Sequence, residues 1–134
     1  MRIRTAFLLL IGAQTAHSFE EYFFRLFDVW APARAVSSLF SDDLSRGFAV
    51  ANALVILFGV VGYVASVRPG RRSATGLAWF WAILESLNGV GHTMLAVGQQ
   101  GYFPGVATAP LLLGAAGYLM SLLVRASRLE VGRR

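Results

Sequence analysis

The stretch Thr5–Asp28, TAFLLLIGAQTAHSFEEYFFRLFD, governs how the rest of the chain is read. It is long and apolar enough to cross a bilayer as a helix, yet it carries His17, Glu20 and Glu21 where a spanning helix ordinarily has leucines. A single charge at the centre of such a helix costs roughly 2.5–3.5 kcal/mol on insertion scales. Several ionisable groups in one short stretch therefore mark a candidate functional site. At about 100° per residue, Gln14, His17, Glu20, Glu21, Arg25 and Asp28 form one stripe, with Phe19, Phe23 and Leu26 opposite. One helix over about 5–28 is expected to turn the stripe inward and the aromatics to lipid. Arg25 has the spacing of a helical ion pair to both Glu21 and Asp28. Arg2 and Arg4, a short apolar run and Ala16-His17-Ser18 also fit a signal peptide and its cleavage site. The return of aromatic, apolar sequence after Glu21 favours a retained span.

The remaining chain repeats the membrane signal. Of 134 residues, 56% are hydrophobic and only 14% charged, and the mean hydropathy is +0.59, which is hard to reconcile with a water-soluble fold. Gly47–Val67 is a second apolar span, with Asn52 as its strongly polar residue and Gly59 and Gly62 open to a close helix. A basic turn, Arg68-Pro69-Gly70-Arg71-Arg72, leads to a third span over about 74–97 and a fourth over about 106–124. Residues 31–46 read as an exposed loop in which Ser41 caps a short amphipathic helix. The expected fold is all-α, a four-transmembrane-helix bundle forming a single integral membrane domain over 1–134.

The twelve basic residues are all arginine and give a net charge of +5. They cluster between spans and at the chain ends, as topological charge does, so nucleic acid is not an expected partner. Nine of them (Arg2, Arg4, Arg68, Arg71, Arg72, Arg125, Arg128, Arg133, Arg134) fall on one side of a four-span arrangement, against Arg34 and Arg46 on the other. That bias places both termini in the cytoplasm. Lysine-free, arginine-only usage is associated with GC-rich bacterial genomes, which makes a bacterial inner membrane the expected location. With no cysteine, a metal must take nitrogen and oxygen ligands.

A second polar set strengthens the case. At 1.5 Å rise per residue, His17–Glu21 lie roughly 18–24 Å from the cytoplasmic end of the first span, and Glu85, Asn88 and His92 roughly 15–26 Å from that of the third. Glu85, Asn88 and His92 share one helical face, with Gly89 and Gly91 leaving room for a neighbour. Two histidines and three glutamates at one depth suit a divalent metal, zinc ahead of iron or manganese. The expected ligands are His17, Glu21, Glu85 and His92. Glu20 is the expected general base, and Asn88 a donor to the ligands or to substrate.

These motifs, His17-Ser18-Phe19-Glu20-Glu21, Glu85 with Asn88-Gly89-Val90-Gly91-His92, and Tyr102-Phe103-Pro104-Gly105 with Thr108, resemble those of the small bacterial membrane proteins named after the HxxEE motif. The resemblance runs from the first helix to the start of the fourth. It implies a four-helix membrane protein with a metal-dependent enzyme site, and leaves substrate and reaction open. Tyr102-Phe103-Pro104-Gly105 reads as a turn with interfacial anchors that can cover the polar level. The leading expectation is a membrane metal-dependent hydrolase acting on a lipid-soluble or amphipathic substrate, as a monomer or homo-oligomer. A metal-free acid/base isomerase lined by Trp79, Trp81 and Tyr22, a diiron oxidoreductase, a proton- or metal-coupled transporter and a partner subunit remain as alternatives.

Overall fold

A computed structural model of the chain describes residues 2–131. Among them every regular element is helical: α1 (Arg2–Phe23), α2 (Leu26–Val29), α3 (Ala31–Ser38), α4 (Leu44–Gly62), α5 (Ala74–Gly98) and α6 (Ala109–Val131). A π-helical turn, Tyr63–Val67, extends α4. Arg133 and Arg134, counted in the charge bias, lie outside the described residues.

The helix expected over 5–28 is broken. It ends at Phe23, and Arg25 takes the left-handed conformation (φ 56°, ψ 51°) before α2 begins. Such a residue closes helices by satisfying their last carbonyls, here with Phe24 N–H donating to Glu20 O at 3.0 Å and Arg25 N–H to Tyr22 O at 3.1 Å. A non-glycine pays roughly 1–3 kcal/mol for that backbone. Offsetting contacts come from the Arg25 guanidinium, which pairs with Asp28 and sits 5.0 Å from the centre of the Phe27 ring. Of the two pairings the spacing allowed, Arg25 makes the one with Asp28, while Glu21 faces His17 and His92. The break also turns Leu26 inward, to 1% exposure, whereas Phe19 and Phe23 stay outside as expected.

Residues 31–46 are more ordered than a loop. Pro32 sits in the first turn of α3, where its missing N–H removes no helical bond. The cap of α4 is Asp43, whose carboxylate accepts from Arg46 N–H at 3.1 Å, and Ser41 instead accepts from Asp43 N–H. Two helical stretches, Leu44–Val67 and Ala109–Leu129, are long and apolar enough to cross a membrane by length and composition. α1 and α5 do not meet that description, because they carry the polar residues of the site.

Side-chain packing forms two apolar clusters. The larger joins α1, α5 and α6 through Phe7, Leu10, Trp81, Leu112 and Leu119; the smaller joins α2, α3, α4 and the α5–α6 connection through Leu26, Phe27, Ala33, Phe48 and Phe103. Between the two, α1 contributes Gln14, His17, Ser18, Glu20 and Glu21, all buried. Small residues set the helix spacing. A Cβ on Gly59 would lie 2.6 Å from Ile11, and one on Gly89 would lie 2.8 Å from Leu113, so α4 and α6 approach their neighbours more closely than alanine permits. Gly91, expected to help, faces open space.

Candidate metal centre

α1 and α5 bring His17, Glu21 and His92 together. His17 and Glu21 are one turn apart on α1, and His17 Nε2 stands 3.5 Å from Glu21 Oε1. His92 Nε2 reaches the same oxygen from α5 at 3.0 Å. The two imidazoles meet edge to face with ring centres 4.7 Å apart. All three side chains are buried, and one ligand atom from each lies within 4.8 Å of the others.

The outer nitrogens of both rings are already committed. His92 Nδ1 lies 2.6 Å from the Pro104 carbonyl, which can only accept, so Nδ1 carries a hydrogen and, in the neutral ring, Nε2 a lone pair. His17 Nδ1 lies 2.8 Å from Thr108 Oγ1. The single hydroxyl hydrogen of Thr108 goes to Glu20, so Thr108 accepts from His17 Nδ1–H and leaves a lone pair on Nε2 of His17 as well. That nitrogen is buried with no hydrogen-bond partner. With both rings neutral, two nitrogen lone pairs and a carboxylate oxygen face one another without a donor among them, whereas a proton on either Nε2 would make an ion pair with Glu21. Three buried acceptors repel unless a cation sits among them. Two imidazoles and a carboxylate form a donor set suited to zinc, and second-partner hydrogen bonds of this kind orient histidine ligands.

The other expected site residues fall differently. Glu20 follows the outer side of α1 into the α5–α6 connection. Its Oε1 accepts from Tyr102 Oη–H at 2.6 Å, Gly105 N–H at 3.1 Å and Ala107 N–H at 3.0 Å, and its Oε2 accepts from Thr108 N–H at 2.7 Å and from the Thr108 hydroxyl. A carboxylate has about four lone-pair positions. Five donors saturate it, and Glu20 clamps the connection over the site. Partial burial, together with the Glu20 carboxylate that accepts its hydrogen bond, pushes the Tyr102 phenol well above the ordinary tyrosine range.

Glu85, expected as a ligand, is outside the three-residue group. It is 1% exposed and close enough to Glu21 for their charges to interact. The Gln14 amide, with its nitrogen toward Glu85, donates to both carboxylate oxygens at 2.6 and 3.2 Å and accepts from Ser18 at 3.0 Å. Asn88 also donates to Glu85, at 3.4 Å, so its bond is to a neighbouring carboxylate and not to a metal ligand. Trp81, expected to line a cavity in the metal-free alternative, is fully buried in the main core.

Thr108, Gly105 and Gln14, which the motif and the polar stripe single out, reach the site through contacts that spacing alone does not give. Gly105 has φ +97°, and a Cβ on it would fall 2.5 Å from His92 Nδ1 and 2.8 Å from His17 Cε1. The glycine therefore lets the connection lie directly on both imidazoles. The Pro-Gly pair signals a turn over the polar level, and the fold adds that its glycine rests on both rings.

An all-helical chain with a buried His/Glu cluster under a clamped loop defines the class of protein. The chain belongs to the family of proteins of unknown function with an HXXEE motif, whose model matches residues 8–119. No curated protein and no solved structure matches it.

Proposed function

We propose that this chain is a four-span protein of the bacterial inner membrane, with both termini in the cytoplasm and a divalent-metal hydrolase site toward the outer side. Support for the membrane setting comes from the two apolar helices and from the large side chains that α1, α4 and α5 leave exposed. Leu9, Phe19, Leu57, Val61, Leu87 and Met94 are each more than half exposed. A continuous apolar surface of that kind is foreign to a monomer in water. The polar sides of α1 and α5 turn inward, the arrangement bilayers impose on ionisable groups.

The observation that carries the metal assignment is the pair of committed Nδ1 atoms, which leaves two Nε2 lone pairs and Glu21 Oε1 turned on one another. A divalent ion, zinc first, held by His17, Glu21 and His92 would supply Lewis-acid activation of a carbonyl group and of water. Glu20 and Thr108 hold the His17 ring, and Pro104 holds the His92 ring. Glu85 is bonded by amides and still has lone pairs free, so the proton-accepting role expected of Glu20 passes to it.

Metal analysis of protein purified without chelator tests this. Wild type should carry about one zinc per chain. His17→Ala, Glu21→Gln and His92→Ala should be empty while retaining their helical circular dichroism. Glu85→Gln should keep its metal and lose hydrolysis. A folded wild-type protein that fails to bind zinc, iron or manganese on titration ends the proposal.

A further inference from the structure

Two apolar clefts flank α4, and only one of them reaches the site. The cleft between α1 and α4, about 230 Å³, ends on Ser18. The cleft between α3 and α4, about 260 Å³, ends on Glu21 itself. We propose that this second cleft is a lateral entrance in which the apolar chain of a single-chain membrane amphiphile lies, with its polar head at Glu21. The inference rests on the metal-enzyme reading and names the class of substrate for that site.

The cleft is built by the way α4 is held. Near its start, a Cβ on Gly47 would overlap the Ser37 carbonyl at 2.0 Å, so α3 and α4 are in backbone contact there. Three turns on, Gly59 is pressed against Ile11 and Trp81. Between these pins α4 presents to the cleft Ala51, whose short side chain leaves the gap unfilled, while Ala49 and Ala53 line the neighbouring cleft. The α4 wall of the cleft runs from Phe48 to Val55, about 10 Å along the axis. Val36 on α3 and Val55 on α4 stand at its exposed rim, 45% and 37% accessible, and Trp30 lies deeper, with its ring 6.3 Å from that of His92.

Those dimensions select the occupant. Ten ångströms accommodates the first part of one chain, and the remainder of a longer tail leaves past Val36 and Val55 into the lipid. Apart from Asn52, whose amide nitrogen already donates to the Phe48 carbonyl, the walls are apolar and favour an apolar chain over a charged or highly hydroxylated body, while Glu21 accepts a hydrogen bond from a hydroxyl or amide head. A two-chain lipid would need a second groove leading to the same carboxylate, and the neighbouring cleft does not provide one.

The chain has no cysteine, so one engineered thiol reports its own surroundings. Val55→Cys carrying a bimane fluorophore is placed in phosphatidylcholine vesicles and titrated with dibrominated octadecanol, with bimane at Leu87→Cys as the lipid-facing control. Saturable quenching is expected at position 55 and a linear response at position 87. Ala51→Trp and Val36→Trp, which fill the cleft from opposite walls, should each remove the saturable part while metal content stays unchanged. The proposal is overturned by linear quenching at both positions, by saturation that persists in both tryptophan variants, or by equal saturation with a dibrominated two-chain phosphatidylcholine. Metal content measured on the same samples separates the two readings, since saturable quenching in protein that binds no metal upholds the cleft and sinks the metal site.

Discussion

At the scale of single residues, consecutive glutamates on one helix have unlike tasks because they point about 100° apart. Glu21 faces the imidazoles and Glu20 faces the connection above them. The relay Glu20–Thr108–His17 predicts that Thr108→Val weakens metal binding by about 10–100-fold, the range for losing an outer partner of a histidine ligand. Thr108→Ser should retain most of it, and competition titration with a chelating dye reads both. Gly105→Ala should be as damaging, since its Cβ would strike His92 Nδ1 and its positive φ disfavours any side chain. Tyr102 supplies a test of the clamp by pH. The folded protein holds the phenolic proton more tightly than the unfolded chain does, so the contribution to stability is complete below about pH 10 and is lost as pH rises beyond it. Tyr102→Phe should flatten the alkaline fall in melting temperature. Glu20→Gln should bring the Tyr102 ionisation, followed by ultraviolet titration, back toward about 10.

At the scale of elements, helical periodicity and the depth count made much of the site legible: His17, Glu21 and His92 do converge from α1 and α5. Gly59 and Gly89 likewise read correctly as places of close approach. The break at Arg25 did not read, because neither glycine nor proline marks it and its ion pair and ring contact exist only once α2 has turned. Glu85 was misplaced for a related reason. It shares a face with His92 but stands two turns away along α5, beside Glu21, where Gln14 on α1 captures it. Thr108 and Gly105 read as residues near the pocket, but their contacts with the two imidazoles come from a connection folding back over helices far away in sequence. Helix spacing itself is open to test. Gly47→Ala puts a methyl group into the Ser37 carbonyl, and overpacking of this kind destabilises by about 1–3 kcal/mol. Denaturant titration in detergent should show that loss, with a wider α3–α4 separation. Gly12→Ala, which meets nothing within 4 Å, is the neutral control.

At the scale of the whole molecule, orientation decides the leaflet to which the site and its cleft open, and the arginines suggest the outer one. α4 then descends from the outer surface. The Phe48–Val55 wall lies in the outer leaflet, and the connection that roofs the imidazoles faces away from the cytoplasm. The Gly70 turn and the start of α1 share the other side, where Arg4 reaches to within 3.6 Å of the position of a Gly70 Cβ. Single cysteines at exposed positions can follow this in intact cells, using a membrane-impermeant maleimide. Asp42→Cys, before α4, and Gly101→Cys, after α5, should label from outside, whereas Arg72→Cys should label only after permeabilisation. Labelling of Asp42→Cys and Gly101→Cys from opposite sides would mean that α4 and α5 do not both cross, and the bundle would have to lie partly in water. Inverted labelling at all three would keep the four spans and move the cleft, with its amphiphile, to the cytoplasmic leaflet. The positions therefore decide the number of crossings and the leaflet from which substrate is drawn in one experiment.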